Sequence, residues 1–371
     1  MNNTNVKILF VCDDLMLGGW TSLVTVAIEL KKRGLKIQFI TLFGKGYNAE
    51  LLEKEGINVK CIFLNKFNFP FKILKLLLLI LQIKPDIIHT HLHYSDCFAI
   101  PLAYLAGVRK RIAHIHSIGE KYKHKLTFLK KVTYRLTTNI IAVSKAAKEA
   151  FKIENPFCNV PIEVIPNCID VFGFRRRFEL SNYKREDFYL TESDFVVLCV
   201  ANFKWQKGYE YLLGAVEQLQ NENFKFLIIG YGEEKEKILK ITQRKSLDKV
   251  ISFLGARTDV PEIMKIADCL ILPSIVESFG ICIIEAFSVG LPVIASSVGG
   301  IVEIAKNNEN AILINPGNVE QICKALCLLK YDDKLRRSLA NKAKIHSENY
   351  DVAKVANKII DYYRGILIES F

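Results

Sequence analysis

The segment 277–285 holds the residues with the clearest chemical meaning. Glu277 reads as a loop carboxylate, and Ser278, Phe279 and Gly280 lead from it into an apolar helix start, Ile281-Cys282-Ile283-Ile284, before a second carboxylate at Glu285. Gly290 and Pro292 end that helix and open the strand Val293-Ile294-Ala295. An ionised Glu285 among apolar neighbours is costly unless something hydrogen-bonds to it. Vicinal sugar hydroxyls suit such a group, as they suit the acidic residue that holds ribose in dinucleotide-binding folds. The plainer alternative is one acid complementing a helix dipole and one solvated glutamate.

A second group is Asn202-Phe203-Lys204-Trp205-Gln206-Lys207-Gly208, a strand end, basic loop and helix start. Lys204 and Lys207 are set to meet an anion, helped by backbone N–H groups at the helix terminus. They could equally be two solvated lysines. Gly230-Tyr231-Gly232 ends another strand, as a ligand approach or a tight turn. Gly18-Gly19 follows the first strand, where glycine permits a phosphate to come close to the backbone. His89, His91, His93, His114 and His116 cluster on two expected strands, and a spacing of two puts ligands on one face. No carboxylate or cysteine set accompanies them, so the expectation is that no metal binds. Gly-x-Ser-x-Gly, Walker A and His-Glu-x-x-His patterns are missing, which argues against the usual serine hydrolases, P-loop enzymes and zincins.

Short apolar runs that read as strands position these groups. In the first half they are 6–12, 36–42, 59–64, 86–91, 111–116 and 139–143, with amphipathic helices between them. In the second half they are 195–201, 224–230, 250–254, 269–272, 292–295 and 311–314, again alternating with helices. Strands apolar on both faces, alternating with helices, imply parallel sheets covered on both sides. Between the halves, 166–193 is polar and carries Arg175-Arg176-Arg177 without clear periodicity, so it reads as a linker. The segments 333–346 and 351–368 read as helices. The organisation expected is therefore a domain over 1–165, a linker, a similar domain over 194–350, and a final helical segment over 351–371. Ligands of open parallel sheets bind beyond the carboxyl ends of the strands, which is where 13–20 and 202–208 fall.

The 371 residues carry 51 Lys and Arg against 39 Asp and Glu, a net charge of +12. Residues 1–170 hold 24 basic and 13 acidic side chains, so one half carries nearly all the positive field. Such a balance points to nucleic acid, an anionic membrane or anionic substrates. No basic motif of a known nucleic-acid module is interleaved with aromatics, so nucleic acid is not expected as a partner. Ten cysteines without a Cys-x-x-Cys pair, in a chain with no visible leader, read as reduced thiols in the cytosol. The longest aliphatic run, 76–81, is far too short to span a bilayer.

The run from Glu277 to Glu285, with Gly290-Leu291-Pro292-Val293-Ile294-Ala295 and Gly299-Gly300 to Glu303, resembles the E-x7-E signature of glycosyltransferase family 4. Gly18-Gly19, Ala142-Val143-Ser144-Lys145, Val164-Ile165-Pro166-Asn167, Lys207-Gly208 and Gly230-Tyr231-Gly232 match in order. The resemblance implies the GT-B fold: two Rossmann-like α/β domains facing across a cleft, with the last helix crossing back to the first domain. It also implies a retaining, nucleotide-sugar-dependent transferase that needs no metal or other cofactor. By resemblance Glu285 binds the nucleotide ribose, Glu277 sits at the donor sugar, and Phe279 and Gly280 offer it backbone contacts. Lys207 neutralises the leaving diphosphate, Gly19 approaches it from the first domain, and His116 lies near the anomeric carbon. Gly230 belongs to the same donor site. One departure stands out: the family's usual Arg five residues before the matched lysine is Asn202 here. Lys204 is the substitute, without arginine's bidentate fork.

These readings predict transfer of a sugar to a glycan or lipid-linked acceptor in bacterial surface-polysaccharide, capsule or lipopolysaccharide assembly. The enzyme would work in the cytoplasm or on the inner membrane's cytoplasmic face. For the membrane, the basic first half is joined by 67–81, apolar with Lys72 and Lys75; that stretch is an interfacial helix or a buried core helix. Alternatives are a nucleotide-sugar 2-epimerase of the same fold, a non-catalytic basic binder of nucleic acid, and a degenerate regulatory paralogue suggested by Asn202.

Overall fold

A computed structural model describes residues 6–16, 20–65, 67–119 and 127–368. The chain divides into two compact units: residues up to Cys168 together with those from Val352 onward, and Ile169–Asp351.

The first unit is built on seven strands, β1 (Lys7–Cys12), β2 (Lys36–Thr41), β3 (Asn58–Cys61), β4 (Ile87–His91), β5 (Lys110–Ile115), β6 (Asn139–Ala142) and β7 (Ile162–Val164). The second has six: β8 (Phe195–Val200), β9 (Phe224–Ile229), β10 (Ile251–Gly255), β11 (Cys269–Leu272), β12 (Val293–Ser296) and β13 (Ile312–Ile314). Their orders are β3-β2-β1-β4-β5-β6-β7 and β10-β9-β8-β11-β12-β13, with parallel pairing throughout. Strand order reverses between β1 and β4 in one sheet and between β8 and β11 in the other, the points where α/β sheets open a crevice. The central strands are apolar and buried on both faces because helices cover both sides.

Every strand expected from the sequence is present, and β7 is an addition. It is three residues long with an exposed glutamate at its centre, too short to show a period.

The segment read as a linker is not one. Residues 171–180 form the helix Val171–Leu180, started by Asp170, whose side chain accepts the Gly173 N–H at 2.8 Å. This helix packs on the helices Val260–Met264 and Ile281–Val289 of the second unit. Its polar composition reflects tethering: Arg175 donates to the Ser288 carbonyl at 2.7 Å, and Arg177 pairs with Glu262 at 2.8 Å. Beyond the helix, Arg185 pairs with Asp268 at 2.9 Å. The second unit therefore begins at Ile169 and includes this segment.

The helix Val352–Ile368 packs on the helix Thr21–Lys32, and Val355, Ile359, Tyr363 and Ile366 enter the first unit's core. Arg33 pins it by donating to the Ala353 carbonyl at 3.1 Å.

Where the loops beyond β8 and β9 touch, side chains are excluded. A Cβ on Gly230 would lie 2.0 Å from the Ala201 carbonyl oxygen. Gly230→Ala is expected to lower the stability of the second unit by about 1–3 kcal/mol through overpacking. Gly44→Ala, where nothing lies within 4 Å, should stay within about 0.5 kcal/mol of wild type. Thermal melts of the two variants check this, and equal melts would contradict it.

Candidate active site

Four adjacent strands of the second sheet, β9, β8, β11 and β12, end side by side, and the loops that leave them carry most of the residues singled out from sequence. The loop after β8 closes in a short turn, Trp205–Lys207, followed by Gly208 in the left-handed region at φ 68°. A side chain at Gly208 would meet the Pro273 carbonyl oxygen at 2.1 Å, so the β8 and β11 loops touch backbone to backbone. Two more bonds join them, as the Gln206 carbonyl accepts from the N–H groups of Ile275 at 2.7 Å and Val276 at 3.3 Å.

This contact brings Lys207 and Glu277 together. The Lys207 Nζ donates to Glu277 Oε2 at 2.6 Å, and Ser274 Oγ donates to the same oxygen at 3.2 Å. The two side chains are 21% and 11% exposed, so the pair is largely shielded from solvent. Burial alone would pull the Lys207 ammonium down, but the charge and hydrogen bond of Glu277 outweigh it and hold the group above its ordinary range. Lys207 is therefore a fixed positive charge. The Glu277 carbonyl accepts the Gly300 N–H at 3.0 Å, tying the β11 loop to the β12 loop.

Phe279 is buried, its ring centroid 5.9 Å from that of Tyr350, and it anchors the loop. Gly280, at φ 94°, starts the helix Ile281–Val289, whose first N–H groups need partners from outside the helix. Glu285 lies one turn further on, half-buried between Ile284 and Ala286. Burial pushes its carboxyl up to about 7, against the pull of Arg177. No hydrogen-bond partner for that carboxylate exists among the described residues.

Asn202 and Lys204 leave β8 ahead of this pair. Asn202 is partly buried, and Lys204 is exposed with no ion pair among the described residues. Gly230 ends β9 against Ala201, whose carbonyl also accepts the Tyr209 hydroxyl at 2.6 Å. Sequence reasoning missed Ser274 and the Gln206 crosslink; the position of Ser274, directly beyond a buried strand, was the available signal.

In the first unit His116 follows β5. Its Nε2 lies 2.8 Å from His91 Nδ1, and the Trp20 ring stands edge-on at 6.0 Å. Burial pushes His116 down to about 4, so the imidazole is neutral near pH 7. His91 pairs with His114 across β4 and β5, and alternation places His89, His91, His114 and His116 on one face. His89 Nδ1 meets the Tyr363 hydroxyl at 2.7 Å, whereas His89 Nε2, His91 Nε2 and both nitrogens of His114 have no hydrogen-bond partner among the described residues. The nitrogens of His89, His91 and His114 lie within 4.8 Å of one another and could hold a metal ion. No carboxylate belongs to that group, so a divalent ion would bring its charge uncompensated into the core. Gly18 and Gly19 lie outside the described residues.

Solved structures share this architecture. Anabaena HepE in complex with UDP-glucose superposes with a TM-score of 0.84 at 22% identity, over 97% of this chain and 100% of that one. Staphylococcus aureus TarM does so at 0.76 and 14% identity, over 97% and 99%. The two units are those of a GT-B glycosyltransferase. Residues 17–171 match the model for Glycosyltransferase Family 4, and residues 182–346 match that for Glycosyl transferases group 1. The chain belongs to this family of glycosyltransferases, as the E-x7-E segment indicated. Among curated relatives, the Escherichia coli UDP-Gal:alpha-D-GlcNAc-diphosphoundecaprenol alpha-1,3-galactosyltransferase is 28% identical over 299 residues, 77% of each chain. The Campylobacter jejuni N,N'-diacetylbacillosaminyl-diphospho-undecaprenol alpha-1,3-N-acetylgalactosaminyltransferase is 24% identical over 325 residues, 82% of each.

The raised pKa of Glu285 gives a signed prediction. Below about pH 4.5 folded and unfolded chains both hold the proton, and the group has no effect. Between about 4.5 and 7 the unfolded chain releases it first, so ionisation progressively favours unfolding, and above about 7 the penalty is complete. Glu285→Gln should therefore stabilise the protein by about 1–3 kcal/mol at roughly pH 8 and by nothing at roughly pH 4. Denaturant titrations at the two pH values check this; a gain independent of pH would contradict it.

Proposed function

We propose that this glycosyltransferase moves a sugar from a nucleotide-sugar donor to a lipid-linked or glycan acceptor in the assembly of a bacterial surface polysaccharide, with retention of anomeric configuration. The observation that carries the reading is the shielded Lys207–Glu277 pair, a fixed cation beside a carboxylate at the carboxyl ends of β8 and β11.

In this scheme the bond between the anomeric carbon and the diphosphate oxygen breaks with its electron pair staying on the diphosphate, while the acceptor hydroxyl oxygen bonds to that carbon from the same face and gives its proton to the leaving diphosphate. Lys207 and the N–H groups that open the helix Ile281–Val289 meet the growing charge. Those donors do the work a divalent cation would otherwise do, so the transfer is proposed to need no metal. Exposed Lys204 supplies a second cation in place of the arginine that the family resemblance leads one to expect. Glu285 accepts hydrogen bonds from the ribose hydroxyls, which relieves the burial that raises its pKa. Glu277 holds Lys207 and faces the donor sugar, and Phe279 and Gly280 contact that sugar through their backbone. His116, neutral and fixed by His91, acts at the anomeric centre.

A uridine diphosphate donor is supported by the name of the Escherichia coli relative and by the UDP-glucose bound to Anabaena HepE. The diphosphoundecaprenol substrates in the names of the E. coli and C. jejuni relatives support a lipid-linked acceptor, and so a place of work on the cytoplasmic face of an anionic membrane. No helix among the described residues is long and apolar enough to cross a membrane.

A thermal-shift screen against UDP-, GDP- and ADP-sugars tests the donor assignment, because a ligand at 100 times its Kd stabilises by about 2.7 kcal/mol. UDP-sugars should raise the melting temperature and Glu285→Gln should abolish the rise. Lys207→Ala is expected to lower kcat about 10²–10³-fold, with a smaller effect on donor KM. Unchanged transfer in both variants would defeat the site assignment, and release of a free sugar epimer from donor alone would defeat the reaction.

A further inference from the structure

The helix Phe69–Ile83 of the first unit is apolar almost all round, yet it is not a core helix. Only Leu76 and Ile80 are fully buried, packed on the outer face of the sheet formed by β1, β2 and β4. Phe71 is 77% exposed, Leu74 53%, Leu78 56% and Leu81 44%, and Phe67 just ahead of the helix is 97% exposed. At 3.6 residues per turn the four helical positions fall within an arc of about 80°, roughly opposite the buried pair. A contiguous outward stripe of large apolar side chains marks a surface that something covers.

The charge around it selects the occupant. From Ile57 to Pro85 the sequence has five lysines, Lys60, Lys66, Lys72, Lys75 and Lys84, and not one Asp or Glu. Lys75 and Lys84 are exposed and Lys72 is half-exposed. Lys72 and Lys75 flank the apolar stripe on one side, where long aliphatic stems let ammonium groups reach a polar layer while the carbons stay in an apolar one. A second copy of this chain would set lysine against lysine across a two-fold axis. An anionic bilayer offers an apolar interior and negative headgroups together, in the order the helix presents its own groups. Fifteen residues give a length of about 22 Å, short of a span and suited to lying in the interface.

We propose that the outward face of Phe69–Ile83, with Phe67 and the flanking lysines, docks the enzyme on an anionic lipid bilayer. The proposal deepens the lipid-linked-acceptor reading by naming the surface that would bring the first unit to such an acceptor.

The experiment is co-sedimentation of the full chain with vesicles of phosphatidylglycerol and phosphatidylcholine, or of phosphatidylcholine alone, without donor or acceptor. Wild type should bind the anionic vesicles, weaken as salt screens the lysines, and bind the neutral ones far less. Leu74→Glu/Leu78→Glu should weaken anionic binding at least about tenfold, since its charges must enter the apolar layer. Lys72→Gln/Lys75→Gln/Lys84→Gln should weaken it less and flatten the salt dependence. Because the two leucines are exposed, the glutamate variant should keep the wild-type melting temperature and the wild-type thermal shift with UDP-glucose, so a failed donor reading and a failed membrane reading give different results. No binding by wild type at low salt, equal binding by the glutamate variant, or a wild-type dimer that this variant dissociates would each overturn the proposal.

Discussion

Parallel pairing forces the carboxyl ends of β9, β8, β11 and β12 onto one edge of the second sheet, and the loops leaving that edge must pack backbone against backbone. At Gly208 and Gly230 a carbonyl oxygen occupies the space a Cβ would need. This packing sets the position of Lys207, and the position of Lys207 sets its charge state through Glu277. The cation is built into the scaffold before any ligand arrives. Preorganisation of that kind lets a single lysine stabilise a developing charge without reorganisation at the moment of reaction.

The two carboxylates of the E-x7-E segment are chemically unlike each other. Glu277 is spent on an ion pair and a serine hydroxyl, whereas Glu285 is half-buried on its helix and lacks a partner among the described residues. An acid in that second situation gains most from a neutral polyhydroxyl ligand, which supplies hydrogen bonds without adding charge. In the proposed scheme the pair divides the work between organising a cation and recognising a sugar hydroxyl pair.

Much of this was legible in sequence because its signals are local. Buried strands stand out as apolar runs, and the Glu277 to Glu285 spacing, with Gly290 and Pro292 behind it, marks a loop, a helix and a strand in order. The histidine face was visible in the alternation of His89 with His91 and of His114 with His116, although the bond between His91 and His116 depends on the register of β4 against β5. The misreading at 166–193 has one cause. Arg175, Arg177 and Arg185 look like a solvated run in one dimension, and only in three do their partners Ser288, Glu262 and Asp268 come into place. The helix Phe69–Ile83 shows the converse limit. When a helix is apolar on every side, its sequence does not say which side is covered.

The first unit is closed by residues that follow the second unit in the chain. Val355, Ile359, Tyr363 and Ile366 sit in the same core as Phe10 and Phe39, and the Tyr363 hydroxyl is the partner of His89. The second unit, bounded by Ile169 and Asp351, is in effect an insertion into the first. During synthesis the inserted unit has its whole sequence available while the outer one still waits for a wall of its core. A lesion in the helix Val352–Ile368 is therefore felt far back along the chain, at β1 and β2.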